Sequence, residues 1–158
     1  SGVGAYAVEV GEIRVGAIVG VNAMGDVFDI DTGEQIAGLR TPDGTGLRSS
    51  EAELYRQIEK SNAVTNTTIG AIVTNVKLDK AQMGKVAGMA HNGFARTIRP
   101  VHTSMDGDSI YALSVGDAVG SPDVVGTLAA YVMGKAVGRA VRAAHAMCGL
   151  PAACDLNQ

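Results

Sequence analysis

Residues 67–76 read Thr67-Thr68-Ile69-Gly70-Ala71-Ile72-Val73-Thr74-Asn75-Val76, a β-branched, uncharged run. Continuous hydrophobicity of this length predicts a buried strand over 68–76. Directly after it, Asp79 is placed to cap a helix in which Met83, Val86, Ala87, Ala90, Phe94 and Ile98 recur at helical spacing. Strand and helix form one compact unit, and the rest of the chain is organised around it.

Upstream, residues 4–21 are nearly all Val, Ile, Ala and Gly, interrupted at Gly11-Glu12. The pattern predicts two buried strands joined by a tight turn, with Tyr6, Val8 and Val10 sharing one face and Val15, Ala17 and Val19 another. Residues 26–50 turn to Asp, Gly, Thr and Pro and read as a long irregular surface loop. Ser50 and Glu53 have the spacing of a capping box, and Leu54, Tyr55 and Ile58 give a short helix one weakly apolar face to about Lys60. Downstream, residues 109–115 predict another strand, with Ile110 and Ala112 on one side. Ser121-Pro122-Asp123 then opens the longest helix, since Ser caps well and Pro suits the first turn. Gly126, Gly134 and Gly138 recur along that helix; each costs about 1 kcal/mol against Ala, so their number implies close packing on a neighbour. The sum is four strands and three helices.

Composition agrees with a domain packed by small residues. The 158 residues include 21 Gly and no Trp, and the glycines follow no three-residue period. A net charge of −3 gives no footprint for nucleic acid, and no uncharged apolar run approaches a membrane span or a signal peptide. The expectation is therefore a soluble cytoplasmic protein with neither nucleic acid nor membrane as partner. Cys148 and Cys154 lack zinc spacing and read as ordinary thiols, and His91, His102 and His145 read as helix-surface or loop residues. No metal and no organic cofactor is expected. Gly2-x-Gly4-x-x-Ala7 matches a dinucleotide fingerprint in letters alone, because the chain continues there as a strand. Asp106-Gly107-Asp108 lacks the other ligand positions of a calcium loop, and Asn66-Thr67-Thr68 spells a glycosylation acceptor without other signs of secretion.

Several blocks, taken in order, carry a more specific signal. Residues 67–76, then Ala90-His-Asn-Gly-Phe-Ala-Arg-Thr-Ile-Arg-Pro, then His102-Thr-Ser-Met-Asp-Gly-Asp resemble the autoprocessed chain of the L-aminopeptidase/D-esterase family, which includes the nylon-oligomer hydrolases. Upstream, Val15-Gly-Ala-Ile-Val-Gly-Val-Asn22 and Gly33-Glu-Gln-Ile-Ala-Gly resemble the end of that family's larger chain.

The resemblance implies an α+β fold, a four-layer αββα sandwich of the N-terminal-nucleophile-hydrolase type, of which this chain covers the C-terminal part. It implies self-cleavage at Asn66-Thr67, so that residues 1–66 end the larger chain and residues 67–158 form the smaller one. Thr67 would be the nucleophile, activated by its own freed α-amino group, whose unperturbed pKa near 7.7–8.0 suits a base at neutral pH. Asn22 matches the oxyanion donor, and Asp106 and Asp108 match acidic or hydroxyl positions that tune the nucleophile. Thr at the cut and paired Asp residues resemble the 6-aminohexanoate-oligomer hydrolase branch. The implied activity is hydrolysis of linear oligoamides; the alternatives are an aminopeptidase or amidase on short peptides, and a non-catalytic assembly module. Family precursors are about twice as long, so an upstream half would complete the unit, and a homo-oligomer of processed units is implied. Ser1 is a second possible N-terminal nucleophile.

Overall fold

The computed structural model describes residues 1–56 and 66–156. Strands β1 (Gly2–Val10) and β2 (Ile13–Val21) form an antiparallel hairpin, turned at Gly11 with φ +59°. Such a backbone angle costs glycine little. Strand β5 (Ile69–Val76) pairs antiparallel with β2 and parallel with β7 (Ser109–Ala118), giving the sheet order β1-β2-β5-β7. Between the parallel pair runs α2 (Lys80–Thr97), opened by a capping box in which Asp79 and Gln82 satisfy each other's backbone N–H groups. The longest helix, α3 (Pro122–Arg142), is capped by Ser121, as expected.

Residues 26–50 depart from the surface-loop expectation. They contain β3 (Asp26–Phe28) and β4 (Gln35–Ala37), which form a second sheet with β6 (Ile98–Arg99) in the order β4-β3-β6. Ile98 therefore belongs to a strand rather than to the end of the α2 stripe. The polar composition misled because a buried carboxylate organises the segment: Asp26, 1% exposed, accepts hydrogen bonds from Leu39 N (2.9 Å), Ser50 N (2.6 Å) and Ser50 Oγ (2.6 Å). Helix α1 (Ser50–Arg56) is consequently capped one residue earlier than the sequence spacing suggested, by Ser49, whose hydroxyl accepts from Ala52 N. The expected continuation to Lys60 lies outside the described residues.

Helices α2 and α3 cover one face of the main sheet, and Val15, Val19, Ile72, Val76, Phe94, Val132, Met133 and Val137 are fully buried there. With no Trp, closeness substitutes for bulk. A Cβ on Gly2 or Gly4 would fall on the carbonyls of Ala140 or Ala136 in α3, and one on Gly93 of α2 would lie 2.5 Å from the Ala130 carbonyl oxygen. The short sheet also leans on α3: Ile30 meets Gly134, Lys135 pairs with Asp31, and Arg142 pairs with Asp29. Asp29 also accepts from the backbone of Thr32 and Asp31, and these hydrogen bonds with the guanidinium hold its carboxyl well below the usual range. α3 is long and apolar enough to cross a membrane, yet 67% of its most apolar window is buried in this core.

The other face of the main sheet is open. Ile18, Ile69, Val73, Tyr111, Leu113 and Val115 are exposed on it, and Ala5, Ile18, Ala71 and Tyr111 align across all four strands. The α+β composition is as expected. The described residues supply one helical layer on one face of the four-stranded sheet, and among them no element packs on its open face.

Close packing at Gly4 has a direct consequence. Gly4→Ala should destabilise the fold by about 1–3 kcal/mol through overpacking. Gly88→Ala in α2, where an added Cβ meets nothing within 4 Å, should stabilise it by up to about 1 kcal/mol. Urea unfolding measures both, and equal effects would refute the packing account.

Candidate active site at the start of β5

The parallel β5–β7 pair begins at one end of the sheet, and its ladder continues backwards past the named strands. Ser109 N donates to Thr68 O (3.1 Å), Gly107 N to Asn66 O (2.9 Å), and Asn66 N to Met105 O (3.2 Å). On the other flank, Thr67 N donates to Asn22 O (3.1 Å), just beyond the end of β2. Residues 66–68 are thus gripped from both sides before β5 formally starts.

Within that grip, the Thr67 hydroxyl donates to the carbonyl oxygen of Asn66 at 2.7 Å. The same oxygen accepts the Gly107 N–H, so two donors converge on one carbonyl. A donor aimed at a carbonyl oxygen stabilises negative charge as it develops there. Close approach of the turn is required: a Cβ on Gly107 would lie 2.8 Å from Thr67 Oγ1.

The sequence-predicted residues gather here, though not all in the expected manner. Asp106 is spent on its own turn, its Oδ2 accepting from Thr103 N (2.9 Å) and Thr103 Oγ1 (2.7 Å). Asp108, whose side chain is 3% exposed, accepts from Thr68 N at 2.8 Å through Oδ1 and meets His102 Nδ1 at 3.1 Å through Oδ2. Among the described residues, neither carboxylate bonds to the Thr67 hydroxyl; both hold the backbone around it. Asn22 uses its backbone carbonyl on Thr67, while its exposed side chain accepts from Ser1 Oγ at 3.3 Å through Oδ1. Beside them, Thr68 Oγ1 is buried without a hydrogen-bond partner among the described residues.

Two residues read from sequence as ordinary histidines belong to this site. His102 bridges Asp108 and His91, its Nε2 lying 3.2 Å from His91 Nδ1. His91 stands on α2, edge-on to the buried Phe94 ring at 5.6 Å. Burial, followed by the neighbouring His102, lowers the pKa of His91, and Asp108 opposes the shift. Spacing could not have found the pair, because one residue is helical and the other lies in a turn with φ +57°. The available signal was that His102 opens the block containing Asp106 and Asp108. Among the described residues, no group of three or more His, Cys, Asp and Glu side chains could hold a metal ion.

The architecture matches solved structures. The chain superposes with TM-score 0.59 and 21% identity on the L-aminopeptidase D-Ala-esterase/amidase of Ochrobactrum anthropi, described as a variant of the Ntn hydrolase fold, covering 95% of this chain and 42% of that one. The PH0078 protein of Pyrococcus horikoshii matches with TM-score 0.58 and 21% identity, over 94% of this chain and 41% of that one. The fold is accordingly that of the Ntn hydrolases. Residues 1–153 match Peptidase family S58, and the chain belongs to that family. It is 35% identical to an uncharacterized aminopeptidase of Mycobacterium leprae, over 90% of this chain and 44% of that protein. It is 32% identical to the 6-aminohexanoate-oligomer endohydrolase of an Agromyces species, over 80% of this chain and 36% of that enzyme. The chain thus spans less than half the length of these relatives.

The lowered pKa of His91 fixes the sign of one pH effect. Between its folded value and the ordinary 6.5, the unfolded chain binds more protons, so this contribution to stability is present above about 6.5 and is lost as the pH falls to the folded value. The urea midpoint should drop more between pH 7.5 and pH 5 in the unaltered protein than in His91→Gln. Equal drops would contradict it.

Proposed function

We propose that this chain is the nucleophile-bearing part of a self-processing amide hydrolase, cut at Asn66-Thr67. The observation that carries the reading is the convergence of Thr67 Oγ (2.7 Å) and Gly107 N–H (2.9 Å) on the Asn66 carbonyl oxygen. Thr67 Oγ attacks the Asn66 carbonyl carbon and gives up its proton, and Gly107 N–H stabilises the oxyanion. The Asn66–Thr67 C–N bond then breaks with the proton delivered to the departing nitrogen, leaving an ester on Oγ. Water then hydrolyses the ester, releasing the Asn66 carboxylate and restoring the Thr67 hydroxyl beside the amine freed when the C–N bond broke. Residues 1–66 then close the larger chain, and residues 67–158 form the smaller one.

In turnover, the freed amine acts as general base for its own hydroxyl. The Asn22 carbonyl, already 3.1 Å from Thr67 N, orients that amine. The substrate carbonyl takes the place of the Asn66 carbonyl, with the Asn22 side-chain amide as a further oxyanion donor, and an acyl-enzyme on Thr67 is released by water. Asp106 and Asp108 act by fixing the turn and Thr68 around the nucleophile. The step uses side chains and backbone of this chain.

The substrate class is a linear oligoamide such as a 6-aminohexanoate oligomer, supported by the name of the Agromyces relative. The higher identity to the mycobacterial aminopeptidase favours short peptides as the second reading. The remaining half of a longer precursor covers the open sheet face, whose aligned apolar side chains form a surface suited to burial, and processed units assemble as a homo-oligomer. Exposed, unpaired Cys148 and Cys154 suit the reducing cytoplasm.

Intact-mass analysis of the full protein tests the reading. Cleavage before Thr67 is expected, together with hydrolysis of 6-aminohexanoate oligomers or short peptides, while Thr67→Ala should remain uncut and inactive. An uncut, inactive unaltered protein would instead indicate a non-catalytic assembly module. If Ser1→Ala abolished activity while cleavage at Thr67 persisted, the nucleophile would move to Ser1.

A further inference from the structure

We propose that His102, backed by His91, is a positioning residue that locks the Asp108 carboxylate onto the Thr68 N–H and so fixes the Thr67 hydroxyl against its target carbonyl. The inference rests on the reading of Thr67 as nucleophile and adds two residues to that site.

Asp108 is nearly sealed from water, with 3% of its side chain exposed. A carboxylate so placed needs donors to stay ionised and in one orientation. The structure gives it Thr68 N at 2.8 Å and His102 Nδ1 at 3.1 Å. Removal of the imidazole leaves Oδ2 without that donor and frees the carboxyl to take up a proton or rotate, which releases Thr68 as well.

The chain of contacts is satisfied with the proton on His102 Nδ1 donated to Asp108 and one proton shared between His102 Nε2 and His91 Nδ1, whether neutral His91 donates Nδ1–H or a His102 imidazolium donates Nε2–H. His91 is anchored on α2 against Phe94, so the series ties the nucleophile's segment to a helix of the core rather than to a loop. His102 holds this position with φ +57°, a left-handed conformation that costs a side-chain-bearing residue energy. Gly and Asn both accept that angle, so the imidazole can be tested apart from the backbone.

The test compares His102→Gly and His102→Asn in the full protein, following self-cleavage by intact mass and turnover on an oligoamide or short peptide. Asn places an amide N–H near the position of Nδ1–H; Gly supplies no donor. His102→Gly should slow both self-cleavage and kcat by about 10–100-fold with KM little changed, the size expected of a misplaced nucleophile. His102→Asn should recover most of the rate. Unimpaired His102→Gly, or His102→Asn no faster than His102→Gly, would overturn the inference while leaving Thr67 in its role. Failure of the Thr67 reading would appear separately, as cleavage or turnover that persists in Thr67→Ala. Should His102→Gly not fold, nitrogen-15 NMR of the Thr67→Ala protein decides: a proton on His102 Nδ1 supports the series, and a neutral Nε2–H tautomer at His102 refutes it.

Discussion

Two backbone hydrogen bonds on either side of one peptide carry the rest of the site: Thr67 N–H to the Asn22 carbonyl and Gly107 N–H to the Asn66 carbonyl. They exist because β5 is an interior strand, with β2 antiparallel on one flank and β7 parallel on the other. An edge strand would have gripped this peptide from one side. With both flanks paired, the Asn66–Thr67 bond is presented in one orientation, and the Asp108 carboxylate on Thr68 N–H holds the residue that follows. The parallel pairing also fixes which turn faces Thr67: residues 103–108 enter β7 at the end where residues 66–68 enter β5.

The same strand depends on an unusual core. Gly2 and Gly4 admit the carbonyls of α3 against β1, and Gly93 admits α3 against α2, so small residues bring backbone layers together where other proteins use aromatic rings. Thin layers place many residues near two surfaces at once. One surface of the sheet is filled by the helices, and the other exposes Ile18, Ile69, Val73 and Leu113. Thr67 keeps the parity of Ile69 and Val73, which places it with the open side rather than the helical side.

Much of the architecture was legible in the sequence. The hairpin turned at Gly11, the interior run 69–76, the Asp79 cap and the Ser121-Pro122 start are all local signals, and local signals survive tertiary packing. The segment 26–50 was not legible, because its order comes from a single buried carboxylate, Asp26, reaching Leu39 and Ser50 across 13 and 24 residues. At the site, Asn22, Thr67, Asp106 and Asp108 were proposed from matching blocks, and the structure brings their backbones together. What sequence could not supply was the division of labour. Asp106 serves its own turn, Asp108 serves Thr68, and the two histidines behind them are separated by 11 residues in elements with different periodicity.

The central claim is that the Thr67 hydroxyl is the atom that forms the covalent intermediate. Its most direct measurement is treatment of the purified full protein with an acylating β-lactone, followed by peptide mass mapping of the adduct. The expected result is one added acyl group on a peptide that begins at Thr67, borne by the threonine oxygen or transferred to its amine. Stoichiometric labelling at Ser1, Cys148 or Cys154, with Thr67 unmodified and internal to an uncut chain, would contradict the claim.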